Sequence, residues 1–416
     1  MRVCVVGSGG REHALAVALA RTAEVVVTPG NPGMVQELPG GGRISITDAP
    51  PEELSAGLFV VGPEVPLVEG LADRLRAAGH QVVGPGADGA RLEGSKAFMK
   101  ELLAEARIPT ARFGVFDDLA EAGEFLRSLS PPWVVKTDGL AGGKGVLVTD
   151  SLPEALKDVE AKLSGRAFGE AGRRVVLEEG LVGTECSLLA LTDGSRVLPL
   201  LPAQDFKRLR DGGQGPNTGG MGSYCPVADL GSAEVDSLME LSVEPLLFAL
   251  RRRGIDYRGV LYAGLMLTEE GPRVLEYNVR FGDPEAQVVL PLHTEDLTAV
   301  LSEVAAGHLR TEPRFSAATA LCVVLAAEGY PENPRRGDPI TGIEKASSLQ
   351  GVSVLHAGTD LDAEGRLVTA GGRVLDVVAE AGTIGEARHR AYQAVGHIHW
   401  DGITYRSDIG AEVPVA

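Results

Sequence analysis

Over residues 1–95, short runs rich in β-branched residues alternate with stretches of helical period, and the runs end in glycine-rich loops. The runs are Arg2 to Val6, Glu24 to Thr28, Leu58 to Val61 and Gln81 to Val83; helical patterns begin at about Arg11 and span about Pro66 to Ala78. Strand–helix alternation implies an open parallel α/β sheet. Ligands of such sheets sit in the crevice beyond the carboxyl ends of the strands. There the chain places Gly7-Ser8-Gly9-Gly10-Arg11-Glu12, Pro29-Gly30-Asn31-Pro32-Gly33 and Gly62-Pro63-Glu64.

The first loop fails the dinucleotide fingerprint at its last position, where Glu12 stands for glycine, and the second strand ends without an acid to hold an adenosine ribose. An NAD-dependent oxidoreductase is therefore not expected. The loop can still aim backbone N–H groups at a phosphate from a helix N-terminus. A sugar-phosphate site is expected at Gly9, Gly10 and Asn31, with Glu64 available to ribose hydroxyls or an amine. A turn needing glycine only for close strand–helix packing would read the same way.

A chain of 416 residues is too long for one ordinary core, so several domains follow. The net charge of −18 argues against nucleic acid or an anionic membrane as partner. An anionic small substrate stays open, because screening over about 8 Å makes local lysines and arginines matter more than the total. Cys4, Cys186, Cys225 and Cys322 lie far apart and read as reduced, mostly buried thiols. With neither a leader peptide nor a membrane-length apolar run in view, a cytoplasmic protein is expected.

In the middle of the chain, Gly94-Ser95-Lys96 opens a helical pattern that Pro109 ends. Trp133 to Lys136 and Val146 to Val148 read as strands around a loop containing Gly142, Gly143 and Lys144. A Walker A loop must run into a helix, so this is not one. A flexible hairpin with Lys136 at its base and Lys144 at its tip suits a lid over a triphosphate. Glu178 and Glu179 end another strand, and backbone groups of Glu179 and Leu181 are placed to pair with an adenine edge while Glu185 faces ribose hydroxyls. Read in isolation, the same residues make a plain connection between two strands. Residues 204–222 form a long polar loop, a length that is usually functional. Asp205, Lys207, Asn217 and Thr218 are its candidate substrate-facing residues.

Arg273 to Tyr277 reads as a strand on which Glu276 and Asn278, two apart, share a face. One carboxylate beside one amide oxygen suits Mg²⁺ (or Mn²⁺), which keeps other positions for water and phosphate. Arg280 would neutralise a phosphate or carboxylate beside the metal. Alone, the stretch reads equally as a polar strand end with a turn at Gly282-Asp283-Pro284.

The combination settles the choice. GSGGREHAL, PGNPG, VGPEVPLV, LEGSKAFMK, DGLAGGKGV, QDFKR, GPNTGGMG, LYAGLM, EYNVRFGDPE, HAGT and IHWDGITYRSDIG run nearly end to end. Together they resemble the ATP-grasp ligases and, within them, the glycinamide ribonucleotide synthetase family. GPNTGGMG and NVRFGDPE carry the most specific part of the likeness.

The resemblance implies a multidomain α/β and α+β fold in three parts. These are an N-terminal parallel α/β domain (1–95), an ATP-grasp domain (96–312) with a mobile lid subdomain (about 118–182), and a small C-terminal α+β domain (313–416). It implies ligation of glycine to 5-phosphoribosylamine with ATP, through a glycyl phosphate, as the second step of de novo purine (IMP) synthesis. Lys96, Lys136 and Lys144, with Gly142 and Gly143, match the ATP phosphate contacts; Glu178, Glu179 and Leu181 match the adenine hinge, and Glu185 the ribose acceptor. Glu276 and Asn278 match the metal ligands. Many relatives in the wider superfamily carry a further acid where Gly264 stands, so fewer protein ligands to the metal are expected. Arg280, Lys144 and Lys207 are the expected catalytic cations. Gly9, Gly10, Asn31, Glu64, Asp205, Asn217, Thr218 and Asp283 are the expected substrate residues. A cytoplasmic monomer is expected. A non-catalytic nucleotide-binding regulator would need the hinge but not the lysine lid and metal pair together. Another carboxylate–amine ATP-grasp ligase is the closest competing reading.

Overall fold

The computed structural model of the protein describes residues 1–38, 40–141, 145–411 and 413. In the N-terminal part the β-branched runs become strands Arg2–Gly7, Glu24–Pro29, Arg43–Ile46, Leu58–Val61 and Val82–Val83, all parallel, with Arg2–Gly7 near the centre. One edge differs from the expected all-parallel sheet: Gln36–Glu37 turns back antiparallel onto Arg43–Ile46. The expected helix over 66–78 is two helices, Glu64–Val68 and Leu71–Ala77. Between them Gly70 adopts a left-handed backbone (φ 78°), a conformation that glycine enters without steric cost.

Two antiparallel four-stranded sheets follow. The first orders Phe113–Phe116, Val175–Glu179, Trp133–Thr137 and Val146–Thr149, and buries a small core of its own around Leu126, Val135, Val159 and Leu177. The second orders Val197–Pro199, Thr184–Thr192, Gly259–Thr268 and Gly271–Asn278. One face of it joins Phe98 and Leu102 of helix Lys96–Ala106 and Val6, Phe59 and Val61 of the N-terminal sheet in a single apolar cluster. Sharing one core across these segments fixes the mouth of the parallel sheet against strand Gly271–Asn278.

The last sheet has five antiparallel strands, Gln204–Asp205, Gly222–Cys225, Thr319–Ala326, Arg373–Ala381 and Val352–His356, with helix Ile384–Val395 packed on it. Its first strand and the first residue of its second come from the stretch read as a long polar loop. Within that stretch Arg208–Arg210 and Gln214–Asn217 also pair as a hairpin. In Gln204–Asp205 and Gly222–Cys225 alternation is weak because only Tyr224 and Cys225 supply apolar bulk, so period alone does not reveal those two strands. All four cysteines are free and buried. Among the described residues no helix is long and apolar enough to cross a membrane.

Candidate active site

Strand Gly271–Asn278 carries the centre of the site. Its pairing to Gly259–Thr268 slips once: Val274 faces Leu265 while Glu276 faces Gly264, so Leu275 is an extra residue. A bulge of this kind re-aims the side chains that follow it, and from there Glu276 and Asn278 share a face. Opposite Glu276 stands Gly264, where an added methyl group would lie 3.4 Å from the Glu276 side chain. The neighbouring strand therefore brings no carboxylate to the pair. Burial works to raise the Glu276 pKa, yet Lys96, Lys207, Lys136 and Arg280 together hold it down at about 2. Each of those cations arrives from a different part of the chain. Lys96 is placed by Asp138, whose carboxylate accepts from the Ala97 N–H (2.7 Å) and the Ser95 hydroxyl (3.0 Å) at the start of helix Lys96–Ala106.

Glu178 and Lys136 project from adjacent strands of the first antiparallel sheet. Glu178 Oε1 lies 2.8 Å from Lys136 Nζ, and Oε2 lies 3.0 Å from Lys100 Nζ. Glu178 is the residue expected at the start of the adenine hinge. Its side chain points inward between two lysines, and its backbone is enclosed by paired strands on both sides. Glu179 is engaged by Arg112, which receives its N–H (3.0 Å) and donates its own N–H to its carboxylate (2.7 Å). Leu181 lies in the connector between strands Val175–Glu179 and Thr184–Thr192. Glu185, half exposed, accepts from Lys207 Nζ at 2.8 Å. Gly142, Gly143 and Lys144 lie outside the described residues.

Arg280 is held rather than free. Its guanidinium reaches Glu93 Oε1 (2.7 Å), Glu64 Oε2 (3.3 Å) and Asn278 Oδ1 (3.4 Å). Glu93 also accepts the Val279 N–H (2.9 Å), so one buried carboxylate fixes the segment that follows Glu276 and Asn278. Neither Glu93 nor Lys100 was singled out from sequence. The signal available was position: both lie on or beside the helix opened by the Gly-Ser-Lys motif, within a turn or two of Lys96.

The glycine loops of the N-terminal sheet are filled by side chains of this same chain. Glu12 Oε2 accepts the Gly9 N–H at 2.7 Å, and methyl groups at Gly7 or Gly62 would overlap the Glu12 side chain. Gly10 abuts Asp376, and Gly33 abuts His356. At Gly9 and Gly10, where a phosphate cradle is expected, a carboxylate accepts from the Gly9 N–H and another lies over Gly10. Asn31, expected to face the substrate, is bonded within the chain. Its amide nitrogen donates to the Ser8, His356 and Ala357 carbonyls, and its oxygen accepts from Gly33 N–H and Thr359 Oγ1, which exhausts its capacity.

Arg373, on the C-terminal sheet, was likewise missed. It donates to the Asp283 carbonyl (2.9 Å), pairs with the Asp283 carboxylate (3.0 Å) and grips the Gly219 carbonyl, tying the GPNTGG loop to the turn after Arg280. Burial raises the Asp283 pKa, but Arg373 and Arg11 outweigh it and leave it lowered. The Thr218 hydroxyl donates to the Lys207 carbonyl (2.8 Å) and accepts the Gly220 N–H (3.0 Å), so it shapes the loop from within. Asn217 ends strand Gln214–Asn217. Asp205 differs from all of these: its Oδ1 is buried with no hydrogen-bond partner, and burial together with Glu285 pushes its pKa up.

One carboxylate and one amide fit a hard divalent ion that takes its remaining ligands from water and nucleotide. Glu276 is ionised throughout the working range, and Asn278 spends only one long contact on Arg280. Among the described residues no group of three or more His, Cys, Asp or Glu side chains is placed to hold a metal.

A parallel α/β domain, two antiparallel sheets with lysines converging on one acid, and a capping C-terminal sheet define an enzyme of the ATP-grasp class. The biotin carboxylase domain of Hydrogenobacter thermophilus 2-oxoglutarate carboxylase shares the fold, with a TM-score of 0.71 at 19% identity over 97% of this chain and 91% of that one. A solved phosphoribosylamine–glycine ligase of Thermotoga maritima matches at a TM-score of 0.83 and 39% identity, over 98% of this chain and all of that one. Phosphoribosylamine–glycine ligases of Streptomyces coelicolor (47% identical, 99% of both chains) and Brucella melitensis (45%, 99% of this chain and 97% of that one) align end to end. Family models for phosphoribosylglycinamide synthetase match residues 1–93 (N domain), 94–286 (ATP-grasp domain) and 320–412 (C domain). The chain belongs to the phosphoribosylglycinamide synthetase family.

Proposed function

We propose that the chain joins glycine to 5-phosphoribosylamine at the expense of ATP, giving glycinamide ribonucleotide, ADP and phosphate, the second step of de novo purine synthesis. The observation that carries the reading is the convergence of Lys96, Lys136, Lys207 and Arg280 on Glu276, beside Asn278. A glycine carboxylate is a poor electrophile because its leaving group would be oxide. Its oxygen attacks the γ-phosphorus, the bond to the β-phosphate oxygen breaks, and ADP departs. The amine then attacks the acyl carbon, phosphate leaves with its oxygen, and the nitrogen gives up a proton. Such phosphoryl transfer needs positioning and charge stabilisation more than covalent help.

In this reading Lys96 and Lys136 meet the triphosphate, and the connector at Glu179 and Leu181 meets adenine. Glu185, now on Lys207, turns to the ribose when nucleotide arrives. Asp205 has a buried oxygen awaiting a donor, which suits a substrate amine. Glu276 and Asn278 would hold Mg²⁺ or Mn²⁺, whose charge would stabilise phosphate oxygens. Arg280, fixed by Glu93 and Glu64, and Lys207 supply positive charge beside them. Lys144 with its glycines serves as the lid that keeps water from the acyl phosphate. A cytoplasmic monomer completes the proposal, and sedimentation tests the monomer.

The deciding assay follows ADP release with Mg²⁺, glycine and freshly generated phosphoribosylamine, each omitted in turn. Release is expected only with all of them present. Turnover indifferent to glycine would overturn the assignment in favour of another carboxylate–amine ligase.

A further inference from the structure

Lys100 takes no part in the reaction outlined above, yet it is the most enclosed cation of the site. Its side chain has no exposed surface, while Lys136 keeps a small exposed fraction. The Lys100 ammonium donates to Thr110 Oγ1 (2.7 Å), sits 3.0 Å from Glu178 Oε2, and lies 5.4 Å from the centre of the Phe113 ring. Thr110 in turn donates to the Val274 carbonyl (2.6 Å), which locks the arrangement onto the strand that carries Glu276. Lys136 is anchored differently, with a longer bond to a backbone carbonyl in place of the 2.7 Å bond that Lys100 makes to Thr110. Its aligned hydrogen bond is a 3.2 Å contact to the Leu275 carbonyl, and its 2.8 Å approach to Glu178 Oε1 leaves that oxygen without a well-directed donor.

Two lysines on one buried carboxylate leave a surplus of one positive charge. A buried carboxylate with a single lysine would hold it tightly, because departure would strand an uncompensated charge in a medium of low polarity. With a second lysine fixed on the far oxygen, the first can leave at small cost. We infer that Lys100 is a positioning residue for Lys136: it remains on Glu178 as the permanent counter-ion, so that Lys136 can turn from that carboxylate to a nucleotide phosphate. The inference rests on the proposed role of Lys136 as a phosphate contact. Burial lowers the Lys100 pKa to about 8, with Glu178 opposing and Lys136 adding to the fall, as expected for two ammonium groups sharing one acid.

The test measures equilibrium affinity for ATP and for adenosine in the full chain and in Lys136→Met, Lys100→Met and Lys100→Met/Glu178→Gln. Lys100→Met leaves Lys136 locked on Glu178, and ATP affinity should fall on the order of tenfold or more, with adenosine affinity unchanged. The double variant removes the lock together with the counter-ion, and ATP affinity should return to within a few-fold of the original. It also replaces charged partners by neutral ones, which buried sites usually tolerate. A Lys100→Met chain that binds ATP normally, or a double variant as weak as the single one, overturns the inference. If Lys136→Met itself leaves ATP affinity intact, the phosphate role of Lys136 fails and the inference falls with it.

Discussion

Gly10→Ala puts the carboxylate-filled glycine loop to the sharpest test. A methyl group at residue 10 would sit 1.8 Å from Asp376 Oδ2 and 2.9 Å from Gln287 Nε2. Ordinary van der Waals separation requires the two sides to part by roughly 1.5 Å or more. Asp376 has little room to yield. It lies in the middle of strand Arg373–Ala381, paired with Val324 on one side and Leu355 on the other, and its carboxylate accepts from Gln287 at 2.9 Å. Overpacking of this kind costs about 1–3 kcal/mol. The better helix propensity of alanine returns up to about 1 kcal/mol, and less in the first turn where residue 10 lies. A net loss of about 1–2 kcal/mol is expected, read as a fall of a few degrees in melting temperature. Adding Asp376→Ala removes the overlapping oxygen, so Gly10→Ala/Asp376→Ala should recover most of the loss, a coupling of about 1 kcal/mol or more. Thermal melts and steady-state kinetics of the two single variants and the double one provide the readout. If Gly10→Ala melts normally but no longer binds phosphoribosylamine, the glycine serves a ligand and not Asp376, and the reasoning is refuted.

Burial, with the Asp283 charge beside it, pushes the Asp376 pKa up to about 7, and Arg373 and Gln287 offset only part of this. A raised carboxyl pKa favours the fold at low pH, and that contribution is lost as pH climbs from about 4 to about 7. Asp376→Asn should therefore gain melting temperature relative to the parent as pH rises through that range, then level off; a pH-independent difference would contradict it. Glu276 works in the opposite sense: its depressed pKa contributes stability above about 4.5 that is lost as pH falls toward 2. Glu276→Gln should erase that acid-side loss and weaken Mn²⁺ binding, followed by its paramagnetic resonance signal in the presence of ADP, by tenfold or more. Arg373→Ala should lower kcat/KM by more than about tenfold through loss of the link between Asp283 and Gly219. Arg373→Lys should not restore it, since one ammonium cannot reproduce a planar fork.

Glu276, Asn278 and Lys136 stand out in the sequence because each follows a local rule: period two on a strand, or a lysine leading into a glycine hairpin. The parallel sheet was legible for the same reason, since Val3–Val6 and Val25–Val27 declare strands that need burial on both faces. Lys100, Glu93 and Arg373 were not. What makes them part of the site is contact between segments far apart in the chain, as with Arg373 and Gly219 or Glu93 and Arg280. No periodicity within either segment encodes such a meeting. The same limit hid strands Gln204–Asp205 and Gly222–Cys225, which owe their existence to the edge of Thr319–Ala326.

The glycine loops pose a different problem. A chain of glycines at a strand end promises only that something polar comes close to the backbone. Whether that is a phosphate or a carboxylate depends on side chains supplied from elsewhere, and here one of them was in plain view. Glu12 was weighed as a missing glycine, a fault in a dinucleotide motif. Its greater consequence is that a carboxylate three residues beyond Gly9 reaches back to the N–H that a phosphate would need, as a capping residue does. An acid in the first turn of a glycine-loop helix should accordingly count against an anion at that turn, unless a cation shields it. Arg11, 2.5 Å from Glu12 Oε1, is bound to that acid and to the Phe281 carbonyl, so its charge is already spent on its own chain.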